Sequence, residues 1–127
     1  MFDLKMTAWF ALPLAALYLG LIIQVILHRR SGKVAYGDGG DKGLRGAIRA
    51  QVNAGEQIPI FLLLFALCEA TSGPTGWLAL IGLVFVAGRF MHAYAMSLGV
   101  HRFRVIGTAT NLVALILVMV TLLIGLL

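Results

Sequence analysis

With 127 residues, 61% of them hydrophobic, and a mean hydropathy of +0.98, the chain is too apolar for a soluble domain, where about 45–50% is usual. Its formal charge of +5 is concentrated in a few basic clusters that membrane topology accounts for, so nucleic-acid binding is a poor reading of it. The single cysteine, Cys68, excludes an internal disulfide and any CxxC redox or zinc motif, and its apolar neighbours read as those of a buried, inert thiol.

Four apolar stretches, 6–27, 50–70, 76–98 and 105–127, are each long enough to cross a hydrocarbon core of roughly 30 Å at 1.5 Å per residue. The expected fold is therefore all-α: one four-helix integral membrane domain over 1–127, with helices at about 6–28, 46–71, 75–98 and 104–127. The first stretch is too long for a signal-peptide core and ends in "HRR" rather than at a small-residue cleavage site, so it reads as a true span.

The first connection, "RRSGKVAYGDGGDKGLRGA", is glycine-rich, and Asp38-Gly39 marks a turn. It lacks the spacing of a phosphate loop and the alternating acids of a calcium loop. Arg29, Arg30, Lys33, Lys42, Arg45 and Arg49 lie in or beside it, Arg102 and Arg104 follow the third helix, and "TSGPTG" between the second and third helices carries no base. The positive-inside rule then places the first and third loops in the cytoplasm and both termini outside.

Helix 2 holds Pro59, expected to loosen or kink it around Gly55 and Glu56. It also holds a carboxylate well inside the span. A charge at mid-membrane costs about 2.5–3.5 kcal/mol on insertion scales. Glu56 lies roughly 14 Å from the cytoplasmic end of helix 2 and Arg89 roughly 15 Å from that of helix 3. The matching depths predict that the two pair, directly or through water. Arg49, Asn53 and Glu56, at i, i+4 and i+7, share one stripe that opens toward the cytoplasmic side, where Arg29, Arg102 and Arg104 complete a cationic pocket with apolar walls. On helix 3, Arg89 and His92 share one face and Phe90, Tyr94 and Ser97 an adjacent one, so one face can serve the bundle and the other a neighbour. The plainer alternative makes these polar groups glue between helices, with Arg89 and His92 as structural polar residues. No second His or Cys stands at metal spacing, so no metal is expected, and no Ser–His–Asp set is legible.

The stretches "QVILHRR" (24–30), "RAQVNAGEQIP" (49–59) and "GRFMHAYAMSLGVHRFR" (88–104) resemble the MAPEG superfamily of membrane-associated proteins in eicosanoid and glutathione metabolism. "RAQVN" with Glu56 is similar to the second-helix motif of its cysteinyl-leukotriene synthases. "KVAYGDGG" (33–40) and "AGRFMH" (87–92) resemble a bacterial inner-membrane branch. The resemblance implies a homotrimer of four-helix subunits that binds glutathione as co-substrate between subunits. It would use Arg29, Arg49, Gln51, Asn53, Glu56 and Tyr94, with Arg49 on a carboxylate and Glu56 on the α-amino group. A thiolate-stabilising arginine is implied at Arg102 or Arg104, with His101 in the same stretch. Gln57 and Phe90 stand where the leukotriene enzymes carry tyrosines.

Two functions follow. One is a trimeric glutathione S-transferase or glutathione-dependent lipid-peroxide reductase whose hydrophobic small-molecule substrates enter from the membrane lipid. The other is a non-catalytic scaffold or module of the same fold that binds a lipid or protein partner. A proton or ion carrier using Glu56 would need a longer relay of ionisable groups than four helices offer.

Overall fold

The computed structural model describes residues 3–127. The chain forms α1 (Lys5–Gly32), α2 (Lys42–Ser72), α3 (Gly76–Leu98) and α4 (His101–Leu126), and each is long and apolar enough to cross a membrane. α2 packs on each of the other three helices, and α3 on α1 and α4, whereas α1 and α4 do not touch among the described residues. The central α2–α3 pair is thus flanked by α1 on one side and α4 on the other, and the outer helices leave long rows of apolar side chains exposed.

The helices overrun their expected ends around the first connection. α1 continues past His28 and stops at Lys33, whose left-handed φ of 53° turns the chain while the Val34 amide bonds back to the Arg29 carbonyl at 3.0 Å. α2 begins at Lys42, ahead of the expected Gly46, because Asp41 caps it: its carboxylate accepts the Gly43 amide at 2.8 Å. Between them, Asp38 accepts the Gly40 amide and pairs with the Arg45 side chain, and Arg29 donates to the Gly37 carbonyl at 2.8 Å. The loop is therefore tied at both ends by arginines. The Arg45 side chain first, then the Gly40 amide, holds the Asp38 carboxyl below its ordinary value. α3 is capped by the Thr75 hydroxyl on the Leu78 amide at 3.1 Å and ends at Gly99, whose φ of 72° suits a residue without a Cβ. α2 stays helical through Pro59.

The start of α1 is capped from another helix. Leu4 supplies no capping side chain, and the first turn of α1 has no acid. The cap comes from the far end of α2. Buried Glu69 accepts the Met6 amide at 2.8 Å, the Thr7 amide at 2.7 Å and the Thr7 hydroxyl at 2.6 Å. Antiparallel packing brings the two ends together. The carboxylate then satisfies orphan amides and sits at the positive pole of the helix.

The core is aromatic and close-packed. Phe61 of α2 stacks flat on Phe85 of α3 with ring centres 3.7 Å apart, and Phe65 meets Phe10 of α1 edge-on at 5.3 Å. α3 and α4 approach through glycines: a Cβ on Gly107 would lie 2.9 Å from the His92 amide nitrogen and 3.0 Å from the Gly88 carbonyl. Cys68 is buried and its thiol points at the Val118 carbonyl, 3.4 Å away.

Candidate functional site

The stripe expected on α2 exists and faces α4. Arg49, Asn53 and Glu56 line one wall of a cleft of about 670 Å³, with Val52 between them. Arg104, Thr108 and Leu112 of α4 form the other wall, and His92 and Met96 of α3 the floor. Apolar walls with a few converging polar groups, at this volume, are what a small-molecule site needs.

The expected pair of Glu56 with Arg89 does not form among the described residues. The buried Arg89 guanidinium instead donates to the Asn53 side-chain oxygen at 2.8 Å, the Gln57 side-chain oxygen at 3.2 Å and the Asn53 carbonyl at 3.4 Å. The reason is angular. Asn53 and Gln57, four residues apart, form one ridge that faces α3, and Glu56 lies about 100° round the helix from Gln57, on the α4 side. Depth matched and azimuth did not. Neutral oxygens thus answer the arginine, and the carboxylate is left exposed in the cleft with no ion pair among the described residues.

The other expected residues divide between two sides of the bundle. Arg104 reaches the cleft, and its side chain lies 2.9 Å from the His101 ring nitrogen Nδ1. Arg102, two residues earlier in the same turn of α4, is exposed and is not on the cleft wall. Arg29 holds the first loop at the end of α1, away from the cleft. Gln51 is half-buried on α2 and does not line the cleft either. Of the cationic pocket expected from Arg29, Arg102 and Arg104, only Arg104 lines the cleft. Tyr94, 59% exposed, lies with Phe90 and Ser97 in a separate groove between α3 and α1. There Gln24 bonds Ser97 at 3.1 Å. His92 is buried on the floor of the α2–α4 cleft, so α3 presents different chemistry to its two sides.

Asn111 stands out with Thr108 and Thr110 among the few polar residues of α4, but its sequence position assigns it no role. It is buried against Gly88, and neither polar atom of its side chain has a protein partner; the Nε of Arg89 is likewise unpaired. An asparagine beside an apolar run in a membrane helix is a common signal of a polar contact between helices.

Four apolar helices, three of which line a cleft carrying charged side chains, define a helical membrane protein. The sequence model of the MAPEG family matches residues 7–124, and the chain belongs to that family. Among curated proteins it is similar to the inner membrane protein YecN of Escherichia coli strain K12, 36% identical over 111 residues, covering 87% of this chain and 85% of that protein. YecN of Escherichia coli O6:H1 matches to the same extent.

Proposed function

We propose that the chain is a bacterial inner-membrane protein, a homotrimer, that binds glutathione in the α2–α4 cleft and uses it on hydrophobic electrophiles or lipid peroxides. The observation that carries this reading is the exposed Glu56 carboxylate, without an ion pair among the described residues, on the same apolar-walled cleft as Arg49 and Arg104. Glutathione carries two carboxylates and one ammonium. Arg49 suits a carboxylate, Glu56 the ammonium, and Asn53 offers its side-chain NH₂. An uncovered carboxylate facing lipid is costly, so a second copy is expected to close the cleft and bring its own Tyr94 and Arg29. The first and third loops, with Arg29 and Arg104, are assigned to the cytoplasm, from which glutathione arrives.

Arg104 is the thiolate-stabilising residue in this reading, ahead of Arg102, because it alone of the two lines the cleft. The free thiol ionises near pH 8.5, and only the thiolate attacks. Lowering that value by about two units takes roughly 2.7 kcal/mol of preferential attraction, within reach of one arginine in a dry site. The proton leaves to solvent, the sulfur bonds to the electrophilic carbon, and the displaced group departs as an anion. With a peroxide, two glutathiones are oxidised to the disulfide as the O–O bond is reduced to alcohol and water.

A non-catalytic reading is favoured by two contacts. Gln57 is committed to Arg89, and Arg104 contacts His101. A titration of purified protein with glutathione, read by thiolate absorbance, separates the two, followed by addition of a chlorinated nitrobenzene. The enzyme reading expects saturable thiolate and conjugate. No thiolate and no binding at millimolar glutathione reject the enzyme reading and leave the non-catalytic scaffold or lipid- or partner-binding module.

A further inference from the structure

A second cleft, of about 250 Å³, lies beyond the first at the corner where α3 turns into α4. Its lining is basic: Lys42 and Arg45 from the first turn of α2, Arg49 one turn further on, and His101 and Arg104 from the first turn of α4. Only Arg45 has an acidic partner, Asp38; Lys42, Arg49 and Arg104 are free of carboxylates among the described residues. Gly46 and Gly99 form part of the lining, so no side chain fills the cleft at those points. α4 also starts without a side-chain cap, leaving first-turn amides of a 26-residue helix beside these cations.

Membrane topology explains why bases sit in these loops, but not why two loops bring them to one concave site. We propose that this cleft, which shares Arg49 and Arg104 with the glutathione cleft, binds the phosphate of an anionic phospholipid headgroup at its Lys42 end. The cleft lies where α2 and α4 begin, and the positive-inside assignment of the loops that precede them puts it at the level of the lipid headgroups. A phosphodiester meets Lys42 and Arg49 from one helix and Arg104 from the other. Apolar residues flank the basic corner: Leu98, 60% exposed, precedes it, and Phe103, 45% exposed, lies within it. They give acyl chains a surface that a free phosphate would not use. The bound lipid thereby clamps the start of α4 to the start of α2 across the mouth of the cleft.

The test uses the full-length protein in a neutral detergent, stripped of lipid. Its melting temperature is followed on addition of phosphatidylglycerol, phosphatidylcholine, glycerol phosphate or inorganic phosphate. Phosphatidylglycerol is expected to bind at least about tenfold more tightly than phosphatidylcholine, and neither free phosphate to match it. Lys42 is exposed and lines only the second cleft, so Lys42→Met is expected to weaken phosphatidylglycerol by about fivefold, and Lys42→Glu by about twentyfold. Glutathione affinity should stay unchanged in both. Equal affinity for the two lipids, or lysine variants that bind phosphatidylglycerol like the parent, would overturn the proposal. Tight binding of inorganic phosphate would make the site one for a free anion rather than a lipid. A parallel loss of glutathione in Lys42→Met would return the cleft to the glutathione site. Because the lipid is titrated alone, the proposal stands or falls whether or not the protein binds glutathione.

Discussion

Replacing Glu69 by alanine removes the cap of α1 and tests how the bundle is held at that end. The parent carboxylate accepts three hydrogen bonds of 2.6–2.8 Å, from two backbone amides and one hydroxyl. Bonds to a charged group contribute about 1.5–3 kcal/mol each, but three bonds to one carboxylate are not additive. An N-terminal cap alone contributes about 1 kcal/mol, and a buried donor left unpaired costs about 1–3 kcal/mol. With Glu69 3% exposed, water enters poorly after truncation, so Glu69→Ala is expected to destabilise by about 3–5 kcal/mol. Glu69→Gln keeps the volume but turns an NH₂ toward donors and removes the charge from the helix pole, for about 2 kcal/mol. Thr7→Val removes one donor and one bond and should cost about 1 kcal/mol. The readout is reversible unfolding in mixed micelles by tryptophan fluorescence, with Trp9 on α1 as reporter for the affected helix. The double mutant Thr7→Val/Glu69→Ala should show a coupling of about 1–2 kcal/mol. If Glu69→Ala unfolds within about 0.5 kcal/mol of the parent, the capping argument is wrong.

Three further outcomes are expected. Gly107→Ala presses a methyl group onto the backbone of α3 at 2.9–3.0 Å and should cost about 2–3 kcal/mol in the same unfolding assay. Arg104→Ala should return bound glutathione to an ordinary thiol, cutting thiolate absorbance near pH 7.5 by about tenfold, whereas Arg102→Ala leaves it in place. Since Asp38 ionises below its ordinary value of 3.8, its contribution to loop order is complete above that value and is lost as pH falls through the lowered one. Amide exchange at Gly40 and the Arg45 side-chain signal should therefore be constant from neutral pH to about pH 4.5, and Asp38→Asn should show the loosened loop at every pH.

Length and hydropathy made the four helices legible, and the i, i+4, i+7 spacing made the Arg49–Asn53–Glu56 stripe legible. What spacing along two helices cannot fix is their relative rotation. Arg89 and Glu56 agreed in depth, yet a rotation of one residue gave the arginine to Asn53 and Gln57. Contacts between distant chain ends were hidden for a related reason. Glu69 reads as an acid near the end of a helix, and its function depends on α1 starting beside it, 62 residues earlier in the chain. Asp41 and the starts of α2 and α4 were missed because polar, basic turns continue a helix beyond the apolar run that hydropathy detects. Arg104 could not be chosen over Arg102 on composition, since two residues along a helix point about 200° apart and only packing says which one faces inward.

The same angular argument bears on whether the site belongs to one subunit. His92 and Tyr94 stand about 200° apart on α3, and the first floors the α2–α4 cleft while the second opens into the α1–α3 groove. A ligand that touches both Glu56 and Tyr94 must take them from different copies. In the homotrimer proposed above, Glu56→Gln and Tyr94→Phe should each impair glutathione binding when present in every subunit. Co-expressed in equal amounts, they should complement. A site made from one copy's Glu56 and the next copy's Tyr94 is intact when the first copy carries only the tyrosine change and the second only the glutamate change. Random assembly gives about one quarter of such sites. Calorimetric titration of the mixed assemblies should therefore recover about a quarter of the parent's high-affinity sites, while the double mutant in one chain mixed with itself recovers none. Absence of complementation, with Glu56→Gln and Tyr94→Phe each binding-defective alone, would place the two residues on a single subunit's ligand and dissolve the case for a shared site.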